Sequence, residues 1–464
     1  MHVAGSIHAD VLSRAPGWLA VPSDVNALLP RLWSRNAAKN AEGVLTVAGL
    51  TVTEIAERVG TPAYVIDEED LRARARDFAR AFAGWDVYYA GKSFLCTAVA
   101  RWVSDEGLGV DVCTGGELTV ALRAGVDPRR IGLHGNNKSD AEIELALDAG
   151  VGRIIVDSFD EIARITRLAG RRRAERPRLM VRVTTGVEAH THEYIATAHE
   201  DQKFGFSIAS GQALDALQQV HGSPELDLVG IHSHIGSQIF DAEGFAVAAR
   251  RTLDMQAEFA ARTGVQLPEM DLGGGFGIAY TSADTPATPA ELAAAMRRIV
   301  DVECTAHGVA VPHLSIEPGR AISGPSAFAL YTVGTVKRVE LDGGAVRTYV
   351  AVDGGMSDNI RTALYAAEYS ATLACRRSNA GPAISRVVGK HCEGGDILVR
   401  DEFLPADIAP GDLLAVPASG AYSRSMASNY NHVPRPPVVS VRDGGLTTLL
   451  RRETLDDILR LDLG

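Results

Sequence analysis

Eight short apolar runs restrict the fold of this chain more than any other feature. Each closes on polar or glycine residues, and each is followed by a helix-like segment. The runs cover residues 87–90, 109–112, 131–134, 153–156, 179–183, 229–232, 270–272 and 314–316. Helical stretches such as 117–124, 141–149, 158–168 and 290–307 lie between them, and a helix at 68–82 precedes the first. Strands joined by helices run parallel, because each helix returns the chain to the end of the sheet from which it set out. Eight such units in roughly 250 residues match the size of a (β/α)8 barrel. No exact repeat of residues is visible, so the periodicity is architectural.

Beyond about residue 325 the texture changes. Runs at 329–339, 348–352, 384–388, 397–399 and 413–416 follow one another with Gly and Pro turns and no long helices, which predicts a β domain. The expected fold class is α/β: a (β/α)8 TIM-like barrel with a second, C-terminal β-sandwich or β-barrel domain. The expected ranges are 61–324 for the barrel and 325–464 for the β domain. Strand material at 41–60 (Leu45-Thr46-Val47 and Leu50-Thr51-Val52) is expected to join the β domain. Residues 1–40 read as an extension, disordered in part, because Pro16, Pro22 and Pro30 interrupt any helix. The segment 455–461 reads as a short amphipathic helix.

Charge and cysteine usage narrow the function classes. Lys+Arg 46 against Asp+Glu 58 gives a net charge of -12, where a nucleic-acid partner would call for a basic excess. No run approaches the ~18 apolar residues of a membrane span. The first thirty residues lack the basic and apolar regions of a secretory signal. Five cysteines, an odd number without C-x-x-C, argue against a disulfide scaffold and a structural zinc site, and fit a reducing cytoplasm.

Active sites of such barrels lie at the C-terminal strand ends, and polar residues gather there. In order, the ends carry Lys92; Asp111 and Cys113; His134 and Asn136; Asp157; Arg182; His232-Ser233-His234-Ile235-Gly236-Ser237; Gly273-Gly274-Gly275; and Glu317-Pro318-Gly319-Arg320. A lysine after an apolar strand is desolvated and becomes a better amine nucleophile, although a lone Lys more often only snorkels. The glycine triplet lets backbone N–H groups approach an anion, with Ser237 adding a hydroxyl; alone, it is also what a turn requires. Glu317 either pairs with Arg320 structurally or faces a pyridine nitrogen. An amine, a phosphate cradle and a carboxylate are together the parts of a pyridoxal 5'-phosphate site. The pair His232 and His234, like His190, His192 and Glu193, also invites a metal reading. The cation at Arg320 opposes one, so no metal is expected, and His234 is better placed as a flat ring stacked on a flat cofactor.

The motifs Tyr89-Ala90-Gly91-Lys92, His232-Ser233-His234-Ile235-Gly236-Ser237, Gly273-Gly274-Gly275-Phe276-Gly277, Glu317-Pro318-Gly319-Arg320 and His391-Cys392-Glu393-Gly394-Gly395-Asp396 occur in this order. With them the chain resembles the diaminopimelate decarboxylase family, barrel-type pyridoxal-phosphate decarboxylases related to alanine racemase and ornithine decarboxylase. The resemblance runs from about residue 43 to the C-terminus. Gly91 departs from the small residue more often found there, and the N-terminal extension has no family role. The resemblance implies Lys92 as the Schiff-base lysine and His234 as the stacking ring. It implies Ser237, Gly274, Gly275, Gly319, Arg320 and Tyr422 around the phosphate and cofactor, and Glu317 on the ring nitrogen. It also implies a homodimer with shared active sites, Cys392 and Glu393 coming from the partner chain.

For the substrate, Asn359-Ile360-Arg361-Thr362-Ala363-Leu364-Tyr365 offers Arg361 and Tyr365 to a distal carboxylate, with Glu393 for the distal ammonium and Arg320 and Tyr422 as further contacts. The expected reaction is decarboxylation of meso-2,6-diaminopimelate to L-lysine and CO2, the last step of lysine biosynthesis, with Cys392 or Lys92 returning the proton. The rivals are an ornithine or arginine decarboxylase, a racemase, and a non-catalytic relative on the same fold. Glu317 weighs against the racemase, and the presence of Lys92 and the glycine triplet weighs against the last.

Overall fold

Strands buried on both faces explain the continuous apolar runs, and all eight runs form strands of one barrel. The computed structural model describes residues 15–172, 175–186, 203–341 and 344–464. The strands are β1 Asp86–Ala90, β2 Gly109–Val112, β3 Ile131–Leu133, β4 Arg153–Val156, β5 Arg178–Thr184, β6 Asp227–Ser233, β7 Glu269–Asp271 and β8 His313–Ile316. Each pairs in parallel with the next. β8 then pairs with β1, Ser315 opposite Asp86, and closes the ring. A two-residue strand, Phe206–Ser207, runs beside β5. The barrel belongs to one compact unit, Arg72–Gly277 with Pro286–Ile322.

The sequence starts four of the barrel helices in the same way. Thr114, Ser139, Ser158 and Thr288 each accept the backbone N–H of a glutamate three residues on, at the heads of helices Gly115–Arg123, Asp140–Ala149, Phe159–Ala169 and Pro289–His307. This is the S/T-x-x-E signature of a capped helix. It also fixes strand ends. Glu117 accepts from Cys113 N at 2.7 Å, and Glu161 accepts from Asp157 N at 2.8 Å. Glu161 further binds the buried Lys138 ammonium at 2.9 Å, which donates to the Gly135 and Ile155 carbonyls at 2.7 and 2.6 Å. Lys138 thereby ties the loop after β3 to β4.

The other unit comprises the chain up to Leu71, Ile278–Thr285 and Ser323–Gly464. Its main sheet runs in the order Ile397–Pro405, Pro382–Val388, Val346–Val352, Ala327–Glu340, Ala63–Asp67, Val438–Arg442, Gly445–Leu450, with Leu413–Val416 also pairing along Ala327–Glu340. The range 61–324 expected for the barrel therefore needs correction at its start. Ala63–Asp67 pairs with Ala327–Glu340 and Val438–Arg442 instead. All five of its residues are buried, so its sequence carries the same continuous signature as a barrel strand. The hairpin 438–450 was not anticipated, although it turns on Asp443 (φ 49°) and Gly444 (φ 73°), the D-G signal of a type I′ turn.

The expected extension is built into this unit from Asn26 onward, whose buried side chain donates to the Ser378 carbonyl at 2.9 Å and accepts the Ser378 N–H at 2.8 Å. Leu32 and Trp33 are buried in an apolar cluster with Val65, Leu330, Ala415 and Val439. Ala37–Lys39, Leu45–Val47 and Leu50–Thr51 form a small antiparallel sheet. Residues 1–14 lie outside the described residues. Leu455–Leu459 forms the short terminal helix. Among the described residues, no helix is long and apolar enough to cross a membrane.

Candidate active site

The barrel's strand ends enclose a cavity of about 300 Å³ whose wall includes Lys92, Asp111, His134, Arg182, His234 and Glu317. Lys92 lies in the turn Gly91–Ser93 directly after β1. That turn is pinned by Ser93 Oγ donating to the Ala90 carbonyl at 3.0 Å and by Tyr89 Oη donating to the Phe94 carbonyl at 2.7 Å. Three residues chosen from separate strand ends, Lys92, His234 and Glu317, thus share one wall.

Glu317 is the electrostatic centre. Its Oε1 lies 3.0 Å from His232 Nε2 and 3.2 Å from His134 Nε2, and the same His134 nitrogen lies 3.2 Å from Asp111 Oδ1. Burial alone would raise the Glu317 pKa, but the facing His134 and His232 outweigh it and hold the carboxyl well below its usual range. Asp111 moves the other way, to about 6, through burial and the charge of Glu317. His134 is pushed down by burial and up by Glu317 and Asp111, ending at about 9. Burial lowers His232. His234 is pushed well below the ordinary histidine range by burial, Lys92 and Arg182, so its ring is neutral. Its Nδ1 accepts the Gly274 N–H at 3.2 Å, which assigns the ring proton to Nε2.

The glycine triplet is shaped by close backbone approach. Gly273 is left-handed (φ +72°), and a Cβ there would fall 2.4 Å from the Ser233 carbonyl oxygen. Its N–H donates to Asp271 Oδ1 at 2.7 Å. Nearby, Arg320 Nη2 donates to Ser237 Oγ at 2.7 Å, so a cation and a hydroxyl are held together. Gly319 packs against the end of β1, where a Cβ would lie 2.9 Å from the Ala90 oxygen. The two histidines of the 232–234 motif go to separate partners, Glu317 and Gly274. The convergent trio is His134, His232 and Glu317, whose ligand atoms lie within 4.8 Å of one another. His190, His192 and Glu193 lie outside the described residues.

The remaining residues singled out from the sequence belong to the other unit. Arg361 opens the helix Arg361–Tyr365 and is buried. It donates to Tyr369 Oη at 2.5 Å, and its guanidinium lies 4.8 Å from the Tyr280 ring centroid. Tyr365 is half-buried. Tyr422 is left-handed (φ +61°), a conformation rare outside Gly, Asn and Asp that clusters at functional sites. Cys392 and Glu393 are exposed between two buried anchors. His391 contacts Ser357 Oγ at 2.8 Å and Asn431 Oδ1 at 3.0 Å, and Asp396 accepts the Met356 and His391 N–H groups at 2.6 and 2.7 Å.

Residues 68–324 match the family model for the pyridoxal-dependent decarboxylase, pyridoxal binding domain. The chain is 54% identical over 441 residues to the diaminopimelate decarboxylase of Mycobacterium tuberculosis, covering 94% of this chain and 98% of that protein. It is 44% identical over 429 residues to the diaminopimelate decarboxylase of Bacillus subtilis, covering 92% and 96%. The chain belongs to the diaminopimelate decarboxylase family. The crystal structure of diaminopimelate decarboxylase from M. jannaschii in complex with L-lysine superposes with a TM-score of 0.85 at 30% identity, covering 93% of this chain and 98% of that one. Within this family the donor set of the cavity fits pyridoxal phosphate. An amine suits its aldehyde, an anionic carboxylate its ring nitrogen and a neutral imidazole a ring face, while Ser237 and Arg320, held together, suit its phosphate.

Sequence reasoning placed Asp111, His134 and Arg182 at strand ends without assigning them roles. It passed over Arg153, whose signal was a charge opening an otherwise apolar strand. The His134 shift makes one prediction. With a folded pKa of about 9 against 6.5 unfolded, the stabilisation from its partners is complete below pH 6.5 and is lost as pH rises to 9. His134→Gln should remove that decline, worth up to a few kcal/mol. Urea midpoints at pH 6, 7.5 and 9 check it, and a parallel decline in the variant would assign the slope to other groups.

Proposed function

We infer that the cavity at the barrel rim removes one α-carboxylate of meso-2,6-diaminopimelate, giving L-lysine and CO2. The chain is a pyridoxal-phosphate-dependent carboxy-lyase. The convergence of Lys92, Glu317 and a neutral His234 in one cavity carries this reading, in a chain 54% identical to a diaminopimelate decarboxylase over nearly its whole length. Bound pyridoxal phosphate supplies the electron sink for the pair left behind when CO2 departs.

The protein's own residues prepare that chemistry. Lys92 offers the amine for the aldehyde carbon. Glu317, kept anionic by His134 and His232, holds a proton at the ring nitrogen. The neutral ring of His234 would offer the cofactor ring a face without adding a charge that opposes it. Gly274, Gly275, Gly319, Ser237 and Arg320 would line the phosphate. For the substrate, we propose Arg361 and Tyr365 for the distal carboxylate and Glu393 for the distal ammonium. We further propose a homodimer in which Cys392 and Glu393 serve the partner's site. Their exposure at the tip of a loop anchored at both ends supports this, since such a tip is preorganised to meet another surface. The five cysteines are all free thiols, and the location we propose is the cytoplasm, where thiols stay reduced.

Four experiments test these assignments. The purified holoenzyme should convert diaminopimelate to lysine and CO2, and borohydride should fix the cofactor on the peptide containing Lys92. Lys92→Ala should lose several orders of magnitude in turnover, and near-normal turnover would remove Lys92 from the mechanism. For the shared site, Lys92→Ala and Glu393→Ala chains should each be nearly inactive alone and regain part of the activity after subunit exchange. Exchange without recovery would place Glu393 in its own chain's site. For the substrate, losing a buried charged contact costs about 2–5 kcal/mol, so Arg361→Ala should lower kcat/KM for diaminopimelate about 30-fold or more. Ornithine has no distal carboxylate, and its poor use should barely change. An unmoved ratio between the two substrates would leave Arg361 as a packing residue.

A further inference from the structure

β4 opens on Arg153, where a barrel interior usually takes Val, Ile or Leu. Its side chain is 3% exposed. Nη2 donates to Asp271 Oδ2 at 2.5 Å, and Nη1 donates to Ser315 Oγ at 2.9 Å. Ser315 Oγ donates in turn to the same Asp271 oxygen at 2.6 Å. The guanidinium lies 3.8 Å from the Tyr88 ring centroid, and Nη2 is 3.9 Å from Asp111 Oδ1 and 4.0 Å from Glu317 Oε1. Gly132 on β3 leaves the room for this, since a Cβ there would lie 2.5 Å from Asp111 Oδ1 and 3.3 Å from Arg153 Nε. Arg153, Asp271 and Ser315 do not line the cavity, although Arg153 lies within 4.0 Å of Glu317.

The second oxygen of Asp271 does reach the site. Oδ1 accepts the Gly273 N–H at 2.7 Å, and the next amide, Gly274 N–H, donates to His234 Nδ1 at 3.2 Å. A hydrogen-bonded path therefore leads from the buried guanidinium through Asp271 and one glycine peptide to the His234 ring. Three consecutive glycines have no preferred backbone conformation of their own. A carboxylate whose far oxygen is gripped by two donors cannot rotate, so it presents its near oxygen to Gly273 in one direction only.

We propose that Arg153 is a positioning residue: by clamping the Asp271 carboxylate it fixes residues 273–275 and, through Gly274, the plane of the His234 ring. The proposal rests on the reading of residues 273–275 as the phosphate cradle. Arg is suited to the task because its planar fork makes two bonds in fixed directions, which a lysine ammonium cannot reproduce.

The test compares parent, Arg153→Met and Arg153→Lys enzymes. Four quantities are measured: loss of pyridoxal phosphate from the holoenzyme on dialysis, reconstitution affinity for pyridoxal phosphate and for pyridoxal, visible circular dichroism of the bound cofactor, and kcat and KM for diaminopimelate. The Met variant should bind pyridoxal phosphate at least tenfold more weakly and pyridoxal less than threefold more weakly. Its cofactor dichroism should change, and kcat should fall with KM within about twofold of the parent. The Lys variant should fall between the two. Unchanged affinity and dichroism in the Met variant overturn the proposal and leave the cradle standing. Equal weakening for pyridoxal phosphate and pyridoxal overturns the cradle reading, and the proposal with it. Should the Met variant not fold, Ser315→Ala removes one of the two donors on Asp271 Oδ2 while emptying only a hydroxyl. It should weaken pyridoxal phosphate at least threefold with the same dichroism change, and parent-like behaviour there overturns the proposal.

Discussion

Glu317 is an anion inside a barrel, and the rest of the site is arranged around keeping it one. Burying a carboxylate costs several kcal/mol. One opposite charge at about 4 Å returns about 4 kcal/mol at an effective dielectric of 20, so a single partner would leave the matter nearly balanced. The structure supplies His232 at 3.0 Å, His134 at 3.2 Å and Arg153 at 4.0 Å. His134 is itself held cationic by Glu317 and Asp111, so anion and cation stabilise each other. Removing either leaves a buried charge without its main partner.

A polar interior of this kind needs space, and the barrel makes it with small residues on adjoining strands. Tyr88 projects where a Cβ on Gly109 would lie 2.5 Å from its ring, and Asp111 projects where a Cβ on Gly132 would. Barrel cores are ordinarily layers of branched aliphatic residues. Here part of the interior carries Tyr88, Arg153, Asp271 and Ser315 in mutual contact. Packing and site geometry are therefore determined by the same side chains.

The extent to which this was legible in the sequence follows from the physics of each part. Barrel strands buried on both faces leave continuous apolar runs, and their number and spacing indicate closure. The expected barrel range of 61–324 takes in Ala63–Asp67 wrongly, because burial on two faces does not say which sheet provides the burial. The places of Lys92, the glycine triplet, His234 and Glu317 at the strand ends were legible, because the barrel reading fixes where each strand stops. The role of His134 was not, since it depends on a distance across the barrel rather than along the chain. Arg153 was hidden for the opposite reason: it stands at the start of its strand, where function is not sought.

The charges of the cluster also bear on what it is built to receive. Asp111, Asp271 and Glu317 are three carboxyl groups, faced at close range by one guanidinium and by His134, while His232 is lowered by burial and His234 is neutral. Asp111 is pushed up to about 6 by burial and by the charge of Glu317, against the pull of His134 and Arg153. A group that brings a positive ring nitrogen to Glu317 would add a counter-charge that a neutral ring lacks. On the proposed reading the cluster would favour the protonated ring, the form with the greater capacity to accept electrons from a departing carboxylate. Tight binding and catalytic readiness then come from one electrostatic arrangement, which places the cost of burying Glu317 in the folded protein before any substrate arrives.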